Sequence, residues 1–222
     1  MAYVESDASR TMFYMDRGCG LESQSFDPSP NIVVVASSRN PLNPLPNQQR
    51  NDCGWKPQPR KNMQHRIGIG HDTHRLEPGG PLTVGGVEIE FDFHLAGHSD
   101  ADVLLHAITD AILGAAAIGD IGELFPDNAE KNKGRSSAEM LGLAYEKVSA
   151  EGWSIANLDC IVFAQKPKFS PYKRAIAIRV AQVLGLSPDC VGVKAKTGEG
   201  VGDVGTGKIM QAQCVALLTK ES

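Results

Sequence analysis

Gly97–Asp127 reads GHSDADVLLHAITDAILGAAAIGDIGELFPD, a pattern that predicts one long helix entered through a histidine and left through a glycine-rich acidic turn. Val103, Leu105, Ile108, Ala111, Ile112 and Ala115 recur at helical spacing and mark a face for burial. Ser99 is placed to cap the helix, with Asp102 three residues on reaching back as a shortened capping box. Asp102, His106 and Asp110 are four apart each time, so carboxylate, imidazole and carboxylate stack on one face. A helix that only packs has no need of such a row. His98, Ser99 and Asp100 fall at its N-terminus, where free N–H groups and the helix dipole favour anions.

Composition narrows the surroundings of this stretch. The chain has 222 residues, 41% hydrophobic and 22% charged, the balance of a soluble globular protein. A net charge of −4 argues against a nucleic-acid partner, and no apolar run approaches the ~20 residues of a membrane helix. Cys19, Cys53, Cys160, Cys190 and Cys214 are odd in number and widely spaced, which favours reduced thiols over a disulfide framework or a cysteine-zinc site. Residues 1–63 carry seven of the thirteen prolines and one short apolar run, Ile32–Val35, so they are expected to be a low-order extension to a domain spanning 64–222. Their six acidic and seven basic residues fit a lineage-specific tail or an over-extended start better than an acid-poor transit peptide.

From Arg66, Ile67 and Ile69 predict a strand leading into His71-Asp72-Thr73-His74, followed by a loop over Arg75–Gly80. Leu82–Val84 and Val87–Phe91 flank Gly85-Gly86, a hairpin signal. Beyond the long helix, Asn128–Gly134 reads as a polar loop. A second helix should run from Ser136 or Ser137 to Ala150, with Ser136 and Glu139 in capping-box register and Gly152 ending it. Leu158–Ala164 reads as a strand. Ser170 and Pro171 suit the N-cap and first position of a third helix closed by Gly185. Strands follow at Val191–Ala195 and Ile209–Leu218. The order predicts an α+β fold, a mixed β-sheet with helices packed on one face; its other face needs cover, which identical subunits can supply.

Residues two apart on a strand share a face, so Asp72 and His74 project together. With His106 they offer one carboxylate and two imidazoles, a set that suits zinc with an open position and also admits manganese or iron. Asp110, one turn beyond, is placed to orient the second ring nitrogen of His106. Asp120, beside Gly119 and Gly122, can cap the next segment or hold a second divalent ion. Five glycines between Gly198 and Gly207 follow Lys194-Ala195-Lys196-Thr197, a loop able to cradle phosphate, and Lys166 and Lys168 add positive charge on another. GDVGTGK at Gly202–Lys208 nearly matches a P-loop, but Ile209 stands where Ser or Thr must meet magnesium. A metal tripod beside two phosphate-friendly loops suits phosphoryl chemistry run by metal ions and positioning.

GHDTHRL at Gly70–Leu76, the Gly97–Asp127 stretch, AQKPK at Ala164–Lys168 and VKAKTGEGVG at Val193–Gly202 together resemble the 2-C-methyl-D-erythritol 2,4-cyclodiphosphate synthases of the non-mevalonate isoprenoid (terpenoid) pathway. The resemblance spans Arg66–Lys220 in order. It implies a lyase that forms a cyclic diphosphate from a CDP-linked erythritol phosphate with release of CMP, working as a homotrimer with an active site at each subunit interface. Asp72, His74 and His106 match its zinc ligands, with a magnesium or manganese ion accompanying the substrate diphosphate. His98 and Thr197 match transition-state stabilisers, Ser99 lies beside the first, and Asp120, Gly122, Phe125 and Asp127 match the erythritol-binding segment. Ala164, Lys168, Lys196 and Glu199 match the nucleotide pocket that a neighbouring subunit supplies. Thr206 stands where many members carry an arginine linked to diphosphate binding at the trimer axis, and Lys196-Thr197 replaces a Thr-Thr pair. The implied compartment is the bacterial cytoplasm, or a plastid-type organelle if the extension is cleaved. A metal-dependent phosphohydrolase and a non-catalytic nucleotide-binding trimer are the competing functions.

Overall fold

A strand of sixteen residues, β1 (Met63–Pro78), is the axis of the sheet. The computed structural model describes residues 62–97, 99–126, 132 and 134–222; the expectations for the extension, for His98 and Asp127, and for most of the Asn128–Gly134 loop lie outside them. β1 pairs antiparallel with β7 (Ile209–Glu221) from Met63↔Glu221 to Arg75↔Ile209, and its last four residues pair with β4 (Phe93–Ala96). β5 (Ser154–Phe163) flanks β7, and β6 (Val191–Lys196) runs parallel to β5, giving the order β4-β1-β7-β5-β6. The sheet is mixed, as expected. β2 (Leu82–Val84) and β3 (Val87–Ile89) form a separate hairpin.

Alternation along β7 separates the two faces of the sheet. Met210, Ala212, Cys214, Ala216 and Leu218 are fully buried on one side. On that side lie α1 (Val103–Ala116), α3 (Ser137–Ala150) and α4 (Lys173–Leu184), with core residues Leu104, Leu105, Ile108, Ile112, Leu141 and Ile176. The other face carries Ile67 and Ile69, 73% and 68% exposed, and Val215. Two single-turn helices, α2 (Ile121–Leu124) and α5 (Gly202–Gly205), sit in loops. Among the described residues no helix is long and apolar enough to cross a membrane.

α1 lies unusually close to β1. Gly68 and Gly70 face it, and a Cβ on either would run into the carbonyl oxygens of Ala111 and Ala107 respectively. The glycines between Ile67 and Ile69 are therefore the inward residues of the strand, and the isoleucines point away. At the hairpin, Gly85 and Gly86 adopt φ of +63° and +69°, the paired left-handed conformation of a tight two-residue turn.

Several boundaries differ from expectation. Arg75–Pro78 is strand, because β4 supplies a pairing partner; β4 itself is too short to show alternation in the sequence. The long helix breaks at Ala117, in the left-handed region at φ 59°, and resumes as α2. It begins at Val103 with Asp102 as its cap, not Ser99: the Asp102 carboxylate accepts from Leu104 N and Leu105 N at 3.1 Å each. Ser136 precedes α3 without a side-chain capping bond, and the Glu139 carboxylate that the capping box would use pairs with Arg135 instead. α4 starts at Lys173, two residues after Pro171, and ends at Gly185 as expected. Cys160 and Cys214 face each other across β5 and β7 as free, buried thiols 3.7 Å apart.

Because backbone meets any added carbon, Gly70→Ala should cost about 3 kcal/mol of unfolding free energy. Gly142, on α3 with no atom near its missing Cβ, is the control: Gly142→Ala should stabilise by up to about 1 kcal/mol. Urea unfolding of both variants checks the pair.

Candidate active site

Asp72 and His74 leave β1 on the same side as Gly68 and Gly70, and the close contact those glycines permit brings α1 and its His106 onto them. Asp72 Oδ2 stands 2.9 Å from His74 Nε2 and 3.0 Å from His106 Nδ1, and the two ring nitrogens are 3.1 Å apart. A tetrahedral ion with bonds of about 2.0–2.1 Å separates its ligand atoms by roughly 3.3 Å, so three donors already sit close to the spacing of one coordination shell. No other group of three His, Cys, Asp or Glu side chains among the described residues converges in this way.

The outer contacts orient each donor. His74 Nδ1 lies 2.8 Å from the Ala96 carbonyl, so that nitrogen carries the proton and Nε2 offers its lone pair. Asp72 Oδ1 accepts from Thr73 N at 2.7 Å, leaving Oδ2 as the single inward oxygen. His106 Nε2 faces Ser137 Oγ at 2.8 Å and Ser99 Oγ at 3.2 Å. Asp110 does not take the orienting role expected of it; its carboxylate accepts from Ile121 N at 2.8 Å and so fixes the start of α2. The row Asp102, His106, Asp110 thus divides into three tasks. Sequence reasoning gave Ser137 only a helix-capping role and missed its contact with His106, which spans thirty-one residues and leaves no local signal.

Burial alone would raise the Asp72 pKa, but the hydrogen bonds and charges of His106 and His74 outweigh it and hold the carboxyl well below the usual range. Burial disfavours protonation of His74, yet the hydrogen bond and charge of Asp72, with the Ala96 carbonyl, raise its pKa above the ordinary value. For Asp110, burial pushes the pKa up against the Ile121 N–H.

The remaining expected residues lie around this group or across the sheet. Asp120 caps α2, accepting from Glu123 N at 2.8 Å, and Gly122 is inside that helix. Phe125 is buried, with the Arg135 guanidinium 5.4 Å from its ring centre. Ala164 is buried and donates to the Lys196 carbonyl at 2.9 Å, while Lys168 and Lys196 are exposed. Thr197 Oγ donates to Glu199 Oε1 at 2.7 Å, and Thr206 donates to carbonyls of its own loop, Gly202 and Asp203. Lys208 pairs with Asp203, away from any phosphate-loop role. Thr73, Gln211, Phe163 and Lys196 form one register row across β1, β7, β5 and β6. Three strand spacings, about 14 Å, separate the Asp72–His74–His106 group from the Lys196–Glu199 loop on the same sheet edge. Beside the Ser99–Asp100 turn a cleft of about 560 Å³ is lined by Glu77, Thr83, His94 and Ala96, room enough for a small polar molecule.

A metal entering this site must displace the proton that Asp72 favours on His74. The Asp72–His74 attraction itself stabilises the metal-free fold fully below the unfolded imidazole pKa and is lost as pH rises through the raised folded value. Zinc affinity should therefore be greatest above that value and weaken about tenfold per pH unit below it. Chelator-competition titrations between about pH 5 and about pH 9 read the slope directly, and an unchanging affinity would contradict it.

The pattern of the YgbB family matches residues 65–219. A 2-C-methyl-D-erythritol 2,4-cyclodiphosphate synthase of Rhodopirellula baltica is 48% identical over 165 residues, covering 74% of this chain and 98% of the relative. One of the same name from Synechococcus sp. is 52% identical over 153 residues, covering 69% and 98%. Among solved structures, a synthase of that name in a CDP-bound form aligns with a TM-score of 0.64 at 37% identity, covering 69% of this chain and 99% of that one. The CDP complex of IspF from Plasmodium falciparum gives 0.63 at 35% identity, covering 71% and 97%. The family pattern spans well over half of the sequence and the relatives match along nearly their whole length, so this chain belongs to the YgbB family.

Proposed function

We propose that this chain converts 4-diphosphocytidyl-2-C-methyl-D-erythritol 2-phosphate into 2-C-methyl-D-erythritol 2,4-cyclodiphosphate and CMP, in the non-mevalonate route to isoprenoids. The observation that carries the reading is the convergence of Asp72 Oδ2, His74 Nε2 and His106 Nδ1 in a family whose relatives bear that enzyme's name. An oxygen of the 2-phosphate attacks the β-phosphorus, the bond from that phosphorus to the bridging oxygen breaks, and CMP leaves with the electron pair. The nucleophile is already an anion, so no strong base is required; the difficulty is to bring two phosphates together against their charge.

Asp72, His74 and His106 would hold zinc or another divalent cation, which supplies charge neutralisation and in-line orientation of the phosphates. A second divalent ion, magnesium or manganese, would accompany the diphosphate. Ser99 and His98 would donate to phosphate oxygens at the helix entrance, and the Thr197 hydroxyl would stabilise charge on the transferring group. Lys168, Lys196 and Ala164 would bind the cytidine end, and Asp120, Gly122, Phe125 and Asp127 the erythritol.

The split across the sheet supports a homotrimer. The Lys196–Glu199 loop sits about 14 Å from the metal ligands of its own chain, and an exposed apolar face of Ile67, Ile69 and Val215 is available for a neighbour. A neighbouring copy would bring its nucleotide loop to the tripod. The setting would be the bacterial cytoplasm, with the catalytic domain spanning residues 64–222.

Phosphorus NMR with the CDP-linked substrate, zinc and magnesium should show a cyclic diphosphate growing in step with CMP. An acyclic diphosphate would mean a hydrolase, and CDP binding without CMP release a binding protein. His106→Ala should lower kcat/KM by about two to three orders of magnitude. Light scattering should give about 71 kDa, three times the 23.8 kDa chain; a monomer with full activity would defeat the interfacial site.

A further inference from the structure

We propose that Ser137 and Asp100 are positioning residues that select and hold the proton arrangement of His106, so that its Nδ1 is presented as a ligand. The proposal rests on the metal reading of the Asp72–His74–His106 group and extends it to two residues outside that group. His106 Nδ1 points at Asp72 Oδ2 and His74 Nε2, so it must be the unprotonated nitrogen when a cation is bound. The proton of the neutral ring is then on Nε2. Ser137 Oγ lies 2.8 Å from Nε2 and is fully buried, so it accepts that proton's hydrogen bond without competition from bulk water.

A hydroxyl that accepts needs its own hydrogen aimed elsewhere, and Asp100 fixes the direction. The Ser137 hydroxyl donates to Asp100 Oδ1 in a short contact. The Ser137 backbone N–H reaches both Asp100 oxygens at 3.1 Å. Ser137 is the first residue of α3, where the backbone N–H has no partner inside the helix and is free for this use. Carboxylate, hydroxyl and imidazole thus form a directed relay in which the Ser137 hydroxyl donates to Asp100 and accepts from His106 Nε2. Asp100 is held by the turn before α1: its N–H meets the Arg135 carbonyl, and Ala101 takes a left-handed φ of 55°. Ser99 Oγ, 3.2 Å from the same nitrogen, already accepts from Ala101 N and remains the more exposed partner. The relay ties the start of α3 to the turn before α1 and to α1 itself, thirty-seven and thirty-one residues away, which distinguishes it from a local helix cap.

The test measures zinc affinity of the full chain by chelator competition, with the metal-free unfolding midpoint as a fold control. Ser137→Ala and Asp100→Asn should each weaken zinc binding by about ten- to a hundredfold. The double variant should lose little more than Ser137→Ala alone, because Asp100 acts through the hydroxyl. In the zinc-loaded protein, nitrogen-15 NMR of the imidazoles should show a slowly exchanging His106 Nε2–H that exchanges fast in Ser137→Ala. If wild-type protein holds zinc and both single variants bind it equally well, the relay has no positioning role. Additive losses, or an unaltered His106 Nε2–H signal, would overturn it equally. If wild-type protein fails to bind zinc and His106→Ala changes nothing, the metal reading itself falls and takes the relay with it.

Discussion

A carboxylate removed from water needs replacements for the hydrogen bonds it has lost. At Asp102, fully buried, four backbone N–H groups provide them: Gly85 at 2.8 Å, Gly86 at 2.6 Å, and Leu104 and Leu105 at 3.1 Å. Burial pushes the Asp102 pKa up, while the donors from Gly86, Gly85 and Leu105 pull against it. All four partners are donors, so only the ionised form satisfies them together; a protonated carboxyl would bring a hydrogen with nowhere to go. One side chain thereby ties the turn of the β2–β3 hairpin to the first turn of α1. It also sets where α1 begins, and with that the height of His106 above β1.

The other end of the same construction is the Gly68–Gly70 contact. Asp102 fixes α1 along its axis, and the two glycines fix its distance from the strand. His106 needs both, because a ligand set with spacings near 3 Å tolerates little displacement. The Ser99–Asp100–Ala101 turn leads directly into the first anchor, Asp102. Its left-handed alanine, an uncommon conformation for a residue with a Cβ, is the strain this geometry retains.

The Asp72, His74 and His106 group was legible in the sequence because each sits on a regular element with a known period. Two residues apart on β1 and a helical position on α1 are enough to say which side chains share a face. The same periodicity misassigned the ends of the helix row. Asp102 and Asp110 are on the expected face, but each is captured by a backbone N–H from a segment outside α1, the hairpin turn and the start of α2. Ser99 lost the cap for the same reason: the competing partners of Asp102 come from Gly85 and Gly86, and no pattern within Gly97–Asp127 carries that information. β4 and the outer part of β1 were missed because an edge pairing four residues long depends on the register of another strand, not on alternation within it. Ser137 illustrates the limit most directly, since its helix was placed correctly while its contact with His106 was not foreseen.

Sheet order links the chemistry to the proposed assembly. β1 and β6 point the same way, because β1 opposes β7, β7 opposes β5, and β5 parallels β6. The end of β6 therefore lies level with Asp72 and His74, beyond which β1 runs on to pair with β4, and the Thr197 loop follows at that level. Two intervening strands cannot be compressed, since strand spacing is set by backbone hydrogen bonds. A single chain can consequently offer the Asp72–His74–His106 group and the Thr197 loop on the same edge but cannot close the distance between them. Rotation about an axis beside the exposed face of β1 and β7 would bring one copy's loop toward the next copy's ligands and cover Ile67, Ile69 and Val215 in the same step. On this argument the uncovered apolar face and the divided site have a common origin in the β1-β7-β5-β6 order, and the proposed assembly would resolve both together.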